Sequence, residues 1–153
     1  MISIRRAIPE EAVTLSQIAF SAKAYWGYPK RWLEIWKPQL TLSPEYLEEN
    51  ENWVTVDDDK PIGFYTLQEK GSNAWLENLW VSPEFIGKGV GKMLFFHAVE
   101  LSRQHGYKTL QLEADPNAFG FYEKMGMHKI GERQSEVEGQ PRILPIMEME
   151  LKK

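Results

Sequence analysis

An apolar segment, Asn78-Leu79-Trp80-Val81-Ser82-Pro83, runs into Gly87-Lys88-Gly89-Val90-Gly91-Lys92. The pattern reads as a strand, a glycine-rich turn and a helix start. Glycines at alternate positions leave backbone N–H groups bare of side chains, where a helix N-terminus carries partial positive charge. The stretch therefore predicts an anion site, suited above all to phosphate. The spacing fails one common phosphate loop and fits another poorly. A Walker loop needs Gly, four residues, then Gly-Lys-Ser/Thr. Here three residues separate Gly87 from Gly91, and Met93 replaces the hydroxyl that would hold magnesium. A dinucleotide fingerprint needs Gly-x-Gly-x-x-Gly in an early βαβ unit. This loop is Gly-x-Gly-x-Gly, lies past mid-chain and follows a meander of strands.

The 153 residues suit a single domain, 1–153, with a core that needs no staples. A hydrophobic content of 42% with 26% charged residues fits a soluble globular protein. The net charge of −4, with no basic run, argues against a general nucleic-acid binder. Short basic pairs such as Arg5-Arg6 and Lys152-Lys153 are scattered. With no cysteine, disulfides, thiolate nucleophiles and cysteine–zinc sites are excluded. The first residues lack the apolar core of a signal peptide, and no apolar run reaches membrane-spanning length. The expected location is the cytoplasm, with no membrane partner.

Patterning along the chain alternates strands and helices. Ile2 and Ile4 mark a strand; Pro9-Glu10-Glu11 opens a helix with an apolar stripe of Leu15, Ile18, Ala19 and Ala22. After a turn at 25–29, a short helix carries Trp32 and Trp36 and stops near Pro38. Another begins at Ser43-Pro44-Glu45. Residues 53–56 and 61–68 form a hairpin about Asp57-Asp58-Asp59-Lys60, and Ala74 to Val81 is the next strand. Val90, Leu94, Ala98 and Leu101 stripe a helix ending near His105-Gly106. A strand at 109–114, a short helix at 118–125 closed by Gly126, and two further strands complete the order β-α-α-β-β-β-α-β-α-β-β. This is an α+β arrangement with a mixed, mostly antiparallel sheet.

Leu76 to Pro83 with the glycine loop resembles motif A of the GNAT superfamily of N-acetyltransferases, a strand ending Val-x-Pro followed by Arg/Gln-x-x-Gly-x-Gly/Ala. Gly89 and Gly91 fill the two small positions, but Ile86 stands where Arg or Gln is usual. Asp115 to Met127 resembles motif B, including its Phe-Tyr-x-x-x-Gly core at Phe121, Tyr122 and Gly126. The element order matches the family along essentially the whole chain. The resemblance implies a GNAT-like fold of about six or seven strands and about four helices.

It also implies an acyltransferase that uses acetyl-CoA. The pyrophosphate would lie over the backbone N–H groups from Gly87 through Lys88, Gly89, Val90 and Gly91 to Lys92, with the two lysines assisting. The pantetheine arm would pair like an extra strand with Leu79, Trp80 and Val81, and a backbone N–H there could stabilise the oxyanion. Without Arg or Gln at position 86, the grip rests on main chain and lysines. Tyr122 matches the motif B tyrosine that often protonates the departing thiolate. Glu77, with Glu113 as second candidate, is the expected base, directly or through water. Asn117 looks like a cofactor contact, although Asp115 holds the family's usual asparagine place.

The acceptor would be a primary amine of a small molecule or peptide. Trp26, Tyr28, Trp32 and Trp36 crowd the region that forms the acceptor side in the family. Trp26 and Tyr28 are the expected substrate contacts, since aromatic faces suit a flat amine or a cation. Trp32 and Trp36, spaced i and i+4, read as core. His97, His105 and His128 have no metal-type spacing, so no metal is expected. A non-catalytic acyl-CoA-binding or sensing module is the alternative, and a homodimer is open because dimers are common in the family.

Overall fold

A computed structural model describes residues 1–152; Lys153, the end of the terminal lysine pair, lies outside the described residues. Seven strands form one sheet in the order β1-β2-β3-β4-β5-β7-β6. They are β1 (Ile2–Arg6), β2 (Glu51–Asp57), β3 (Lys60–Lys70), β4 (Asn73–Val81), β5 (Thr109–Glu113), β6 (His128–Val137) and β7 (Gln140–Glu150). The helices are α1 (Ala12–Tyr25), α2 (Lys30–Leu40), α3 (Pro44–Glu49), α4 (Val90–Gln104) and α5 (Phe119–Lys124). The β1–β2, β2–β3, β5–β7 and β6–β7 pairs are antiparallel, and β4–β5 is parallel. The sheet is thus mixed and mostly antiparallel, as the sequence predicts.

The chain packs as two compact units, each built from two stretches of sequence: Met1–Leu67 with Asn78–Phe95, and Gln68–Glu77 with Phe96–Lys153. In the first, α1 buries all four residues of its apolar stripe, Leu15, Ile18, Ala19 and Ala22. Leu33 and Leu40 of α2, Leu47 of α3, and Val54, Ile62 and Phe64 of the strands join that core. In the second, Leu110 and Leu112 of β5, Tyr122 of α5, and Leu144 and Met147 of β7 are buried.

Turn chemistry explains the β2–β3 hairpin and the start of α3. Asp58 and Asp59 take φ of 50° and 70° between Asp57 and Lys60, the doubly left-handed geometry of a two-residue hairpin turn. Ser43 caps α3 by accepting from the Tyr46 N–H at 3.1 Å, and Pro44 occupies the first helical position.

Three local features differ from expectation. Three helices separate β1 from β2, one for each helical segment read from Pro9, around Trp32 and Trp36, and from Ser43, so the summary order β-α-α-β is one helix short. The second of them does not stop at Pro38 but continues to Leu40. Proline sits there within the last turn, where only one intrahelical donor is lost. Finally, a 3-10 turn (Pro83–Phe85) intervenes between β4 and the glycines.

Candidate active site

In the first unit, β4 ends at Val81 and the 3-10 turn closes with the Phe85 N–H donating to Ser82 O at 2.9 Å. Gly87 and Gly89 then adopt φ of 82° and 83°, a conformation that L side chains strain to reach. A Cβ at either position would meet nothing within 4 Å. The turn therefore needs glycine for backbone shape, and space above it is open. Helix α4 starts at once: the Met93 N–H donates to Gly89 O at 3.0 Å, and the leading N–H groups have no partner inside the helix. Gly91 lies in the first turn of α4, and Val90 turns its side chain into the core at 1% exposure, so only its main chain is left at the turn. Lys88 carries its ammonium 5.5 Å over the Phe85 ring. Ile86 is 37% exposed, an apolar side chain at the turn.

The strand before the turn has a directional main chain. Ser82 N–H donates to Ile62 O of β3 at 2.8 Å, and the Trp80 carbonyl also faces β3, close to Gly63. Backbone groups alternate sides along a strand. Those of Leu79 and Val81 therefore point away from β3, whereas Trp80 spends its own on β3. Pairing of β4 with β5 is confined to Ala74↔Leu110 and Trp75↔Gln111. Beyond Trp75 the edge away from β3 carries no strand pairing among the described residues. Of Leu79, Trp80 and Val81, the first and third therefore carry main chain directed away from β3.

In the second unit, Tyr122 lies in α5 with 8% of its surface exposed. Burial pushes its hydroxyl well above the ordinary tyrosine range, and the Asp115 carboxylate adds to the effect. Asp115 caps the 3-10 turn Pro116–Ala118: its Oδ1 accepts from the Asn117 N–H at 2.9 Å and from Asn117 Nδ2 at 3.1 Å. Its Oδ2 lies 3.6 Å from Arg142 Nη2 of β7, both side chains nearly buried. Asn117 is exposed, with its amide turned toward Asp115.

The two candidate bases differ in how they are held. Glu77 is exposed and accepts from Trp75 Nε1 at 2.6 Å through Oε2, as alternation along β4 places both side chains on one face. Glu113 is gripped on both oxygens by Arg133, Nε to Oε2 at 2.6 Å and Nη2 to Oε1 at 2.8 Å. A bidentate guanidinium engages one lone pair on each oxygen.

The aromatic block divides. Tyr28, Trp32 and Trp36 pack against one another, tilted or edge to face, with ring centroids 4.9–6.1 Å apart. Lys23 Nζ sits 5.1 Å from the Tyr28 ring centre and 4.6 Å from that of Trp36, so the cation face is already filled from within. Trp26 packs instead on Tyr25 at 5.8 Å and remains 39% exposed. Among the described residues there is no cluster of His, Asp or Glu able to hold a metal ion. Among the described residues no helix is long and apolar enough to cross a membrane.

The sequence model described as "Acetyltransferase (GNAT) family" matches residues 16–127. The chain belongs to that family. The acetyltransferase is 34% identical over 151 residues to the peptidyl-lysine N-acetyltransferase YjaB of Salmonella typhimurium, covering 97% of each chain. It is similar to the solution structure of apo YjaB from Escherichia coli, with a TM-score of 0.70, 26% identity, and coverage of 99% of this chain and 97% of that one. The PaiA N-acetyltransferase from Thermoplasma acidophilum, solved with coenzyme A, shares the fold with a TM-score of 0.77 at 24% identity, covering 98% and 99%.

The acetyltransferase uses acetyl-CoA as co-substrate. Its residues fit that molecule: an open, left-handed glycine turn beside a helix start suits phosphates, and an unpaired strand edge suits amides. Sequence reasoning passed over Gly63, Lys23, Arg133, Arg142 and the side chain of Asn78. Each acts across a long sequence separation, and nothing in the local pattern announces the partner.

Proposed function

We propose that this acetyltransferase moves the acetyl group of acetyl-CoA to a primary amine by direct attack on the thioester, and that the amine is the side chain of a peptide lysine. The observation that carries the donor half is the outward main chain of Leu79 and Val81 on an edge that, among the described residues, carries no strand pairing. The acceptor half rests on the YjaB relative, whose name is peptidyl-lysine N-acetyltransferase. The whole chain 1–153 is read as one catalytic domain acting in the cytoplasm.

In this reading Gly87, Gly89 and the first turn of α4 receive the pyrophosphate through main-chain N–H groups, with Lys88 and Lys92 adding charge. Asn117 contributes a polar contact to the donor. An outward N–H of Leu79 or Val81 steadies the negative oxygen that forms when nitrogen bonds to the thioester carbon. Glu77 takes the proton that the ammonium must lose before attack. It serves better than Glu113, whose two oxygens Arg133 already occupies. Tyr122, kept protonated by burial, gives its proton to sulfur as the carbon–sulfur bond breaks. Trp26, exposed beside Tyr25, is the acceptor contact; Tyr28 supports it from within the aromatic stack.

The test is release of CoA thiol from acetyl-CoA with a lysine-containing peptide, with the same peptide blocked at its lysine, and with small polyamines. Thiol release that depends on the free lysine supports the reading. Release with polyamines alone replaces the acceptor, and binding of acetyl-CoA without release by any amine makes the chain a sensor.

A further inference from the structure

We propose that Asn78 is a positioning residue that sets the donor-binding half of β4. The proposal rests on the reading of the Leu79 and Val81 edge as the place where acetyl-CoA pairs. Asn78 lies three residues beyond Trp75, the last residue of β4 paired with β5, and immediately before Leu79. From there on, among the described residues, the strand has pairing on the β3 side but none with β5. A strand paired on one side slides and twists more readily than one paired on both.

The side chain of Asn78 supplies what that edge lacks. Its Nδ2 donates to Tyr46 Oη of α3 at 3.2 Å and to Thr66 Oγ1 of β3 at 3.1 Å. Its Oδ1 accepts from Trp80 Nε1 at 3.1 Å. The chain of bonds continues inward, from the Thr66 hydroxyl to Asn52 Oδ1, and from Asn52 Nδ2 to Asn50 O at 3.1 Å. Thr66 and Asn52 are at most 1% exposed. Buried polar groups that lose a partner are left unpaired, so the network has one low-energy arrangement.

One carboxamide thus ties β4 to β3, to β2 through Asn52, and to α3 through Tyr46, while clamping the indole of Trp80 between the two outward-facing residues. Those bonds fix where Leu79 and Val81 aim their amides. The amides would meet the pantetheine arm, whereas the nucleotide half of the donor meets only the glycine turn. Asn78 therefore affects the two halves of the same ligand unequally.

Isothermal titration of acetyl-CoA and of adenosine 3′,5′-bisphosphate, the nucleotide half alone, reads that difference. For Asn78→Ala the expected result is about tenfold weaker acetyl-CoA binding with bisphosphate binding within about twofold. Tyr46→Phe, which deletes one oxygen, shows the same selectivity at about threefold, and decides the matter alone if Asn78→Ala does not fold. Equal loss of both ligands, or loss of neither, overturns the role of Asn78. If wild-type protein binds acetyl-CoA no more tightly than the bisphosphate, the donor-edge reading itself fails.

Discussion

Gly63 on β3 faces the carbonyl oxygen of Trp80 on β4 so closely that a Cβ added at position 63 would lie 3.0 Å from it. The same Cβ would stand 3.1 Å from Leu94 Cδ1 and 3.3 Å from Val90 Cγ1, so strand and helix both close on the glycine. Substitution Gly63→Ala must push the Trp80 backbone, which has no flexible end to yield. The expected loss is about 1–3 kcal/mol of folding stability, read from urea unfolding, with Gly63→Val worse.

Tyr122→Phe removes a hydroxyl from a buried ring and leaves the ring in place. Turnover should fall about 10²-fold while the Kd for acetyl-CoA stays within about twofold. Steady-state kinetics beside a binding titration checks this, and unchanged turnover would remove Tyr122 from the mechanism.

The glycine turn fails by conformation, since its surroundings are open. Gly87→Ala and Gly89→Ala each force a side chain to φ near 82–83° without any clash. Each should cost about 1–2 kcal/mol and weaken acetyl-CoA correspondingly. Gly87→Asn should be milder, because asparagine tolerates that region. A Kd series over the three variants tests the order.

Alkali should unfold the protein through two phenols. Burial raises both Tyr65 and Tyr122 above tyrosine's ordinary range, with Glu51 adding at Tyr65 and Asp115 at Tyr122. Below about pH 10 folded and unfolded chains both keep these protons, so stability does not depend on them there. Above it the unfolded chain releases protons that the folded chain retains, and stability falls by about 1.4 kcal/mol per pH unit for each phenol. Chemical denaturation from pH 9 upward measures the slope, and Tyr65→Phe should reduce it.

Trp26 and Tyr28 are two residues apart, yet their substitutions should be felt in different assays. Trp26→Ala should raise the KM of the acceptor and leave that of acetyl-CoA alone. Tyr28→Ala opens the stack with Trp32 and Trp36 and strips a ring from Lys23, at about 0.5–1.5 kcal/mol per ring pair, so its effect should appear in Tm. Equal kinetic effects from both would return Tyr28 to the acceptor site.

Local chemistry carried most of the fold into the sequence. Alternation marked the strands, Ser43 and Pro44 started α3, and the glycines announced the start of α4. Pro38 misled because a proline near a helix end removes little, and only the packing of Leu40 beyond it shows that the helix continues. At the candidate site, sequence spacing identified the residues but not their commitments. Position 113 reads the same whether its carboxylate is free or gripped by Arg133, twenty residues away. The aromatic block likewise hides that Lys23, from the preceding helix, already sits on its rings.

The limited pairing of β4 with β5 has a consequence on the clock of amide exchange. Along the last residues of the strand, alternation turns the N–H of Trp80 toward β3 and those of Leu79 and Val81 outward, where no strand pairs with them among the described residues. In deuterated solvent these neighbours should separate in time, with Leu79 and Val81 exchanging early and Trp80 late. Added acetyl-CoA should slow the two early ones and leave the third unchanged, so three successive residues form a built-in gauge of donor occupancy.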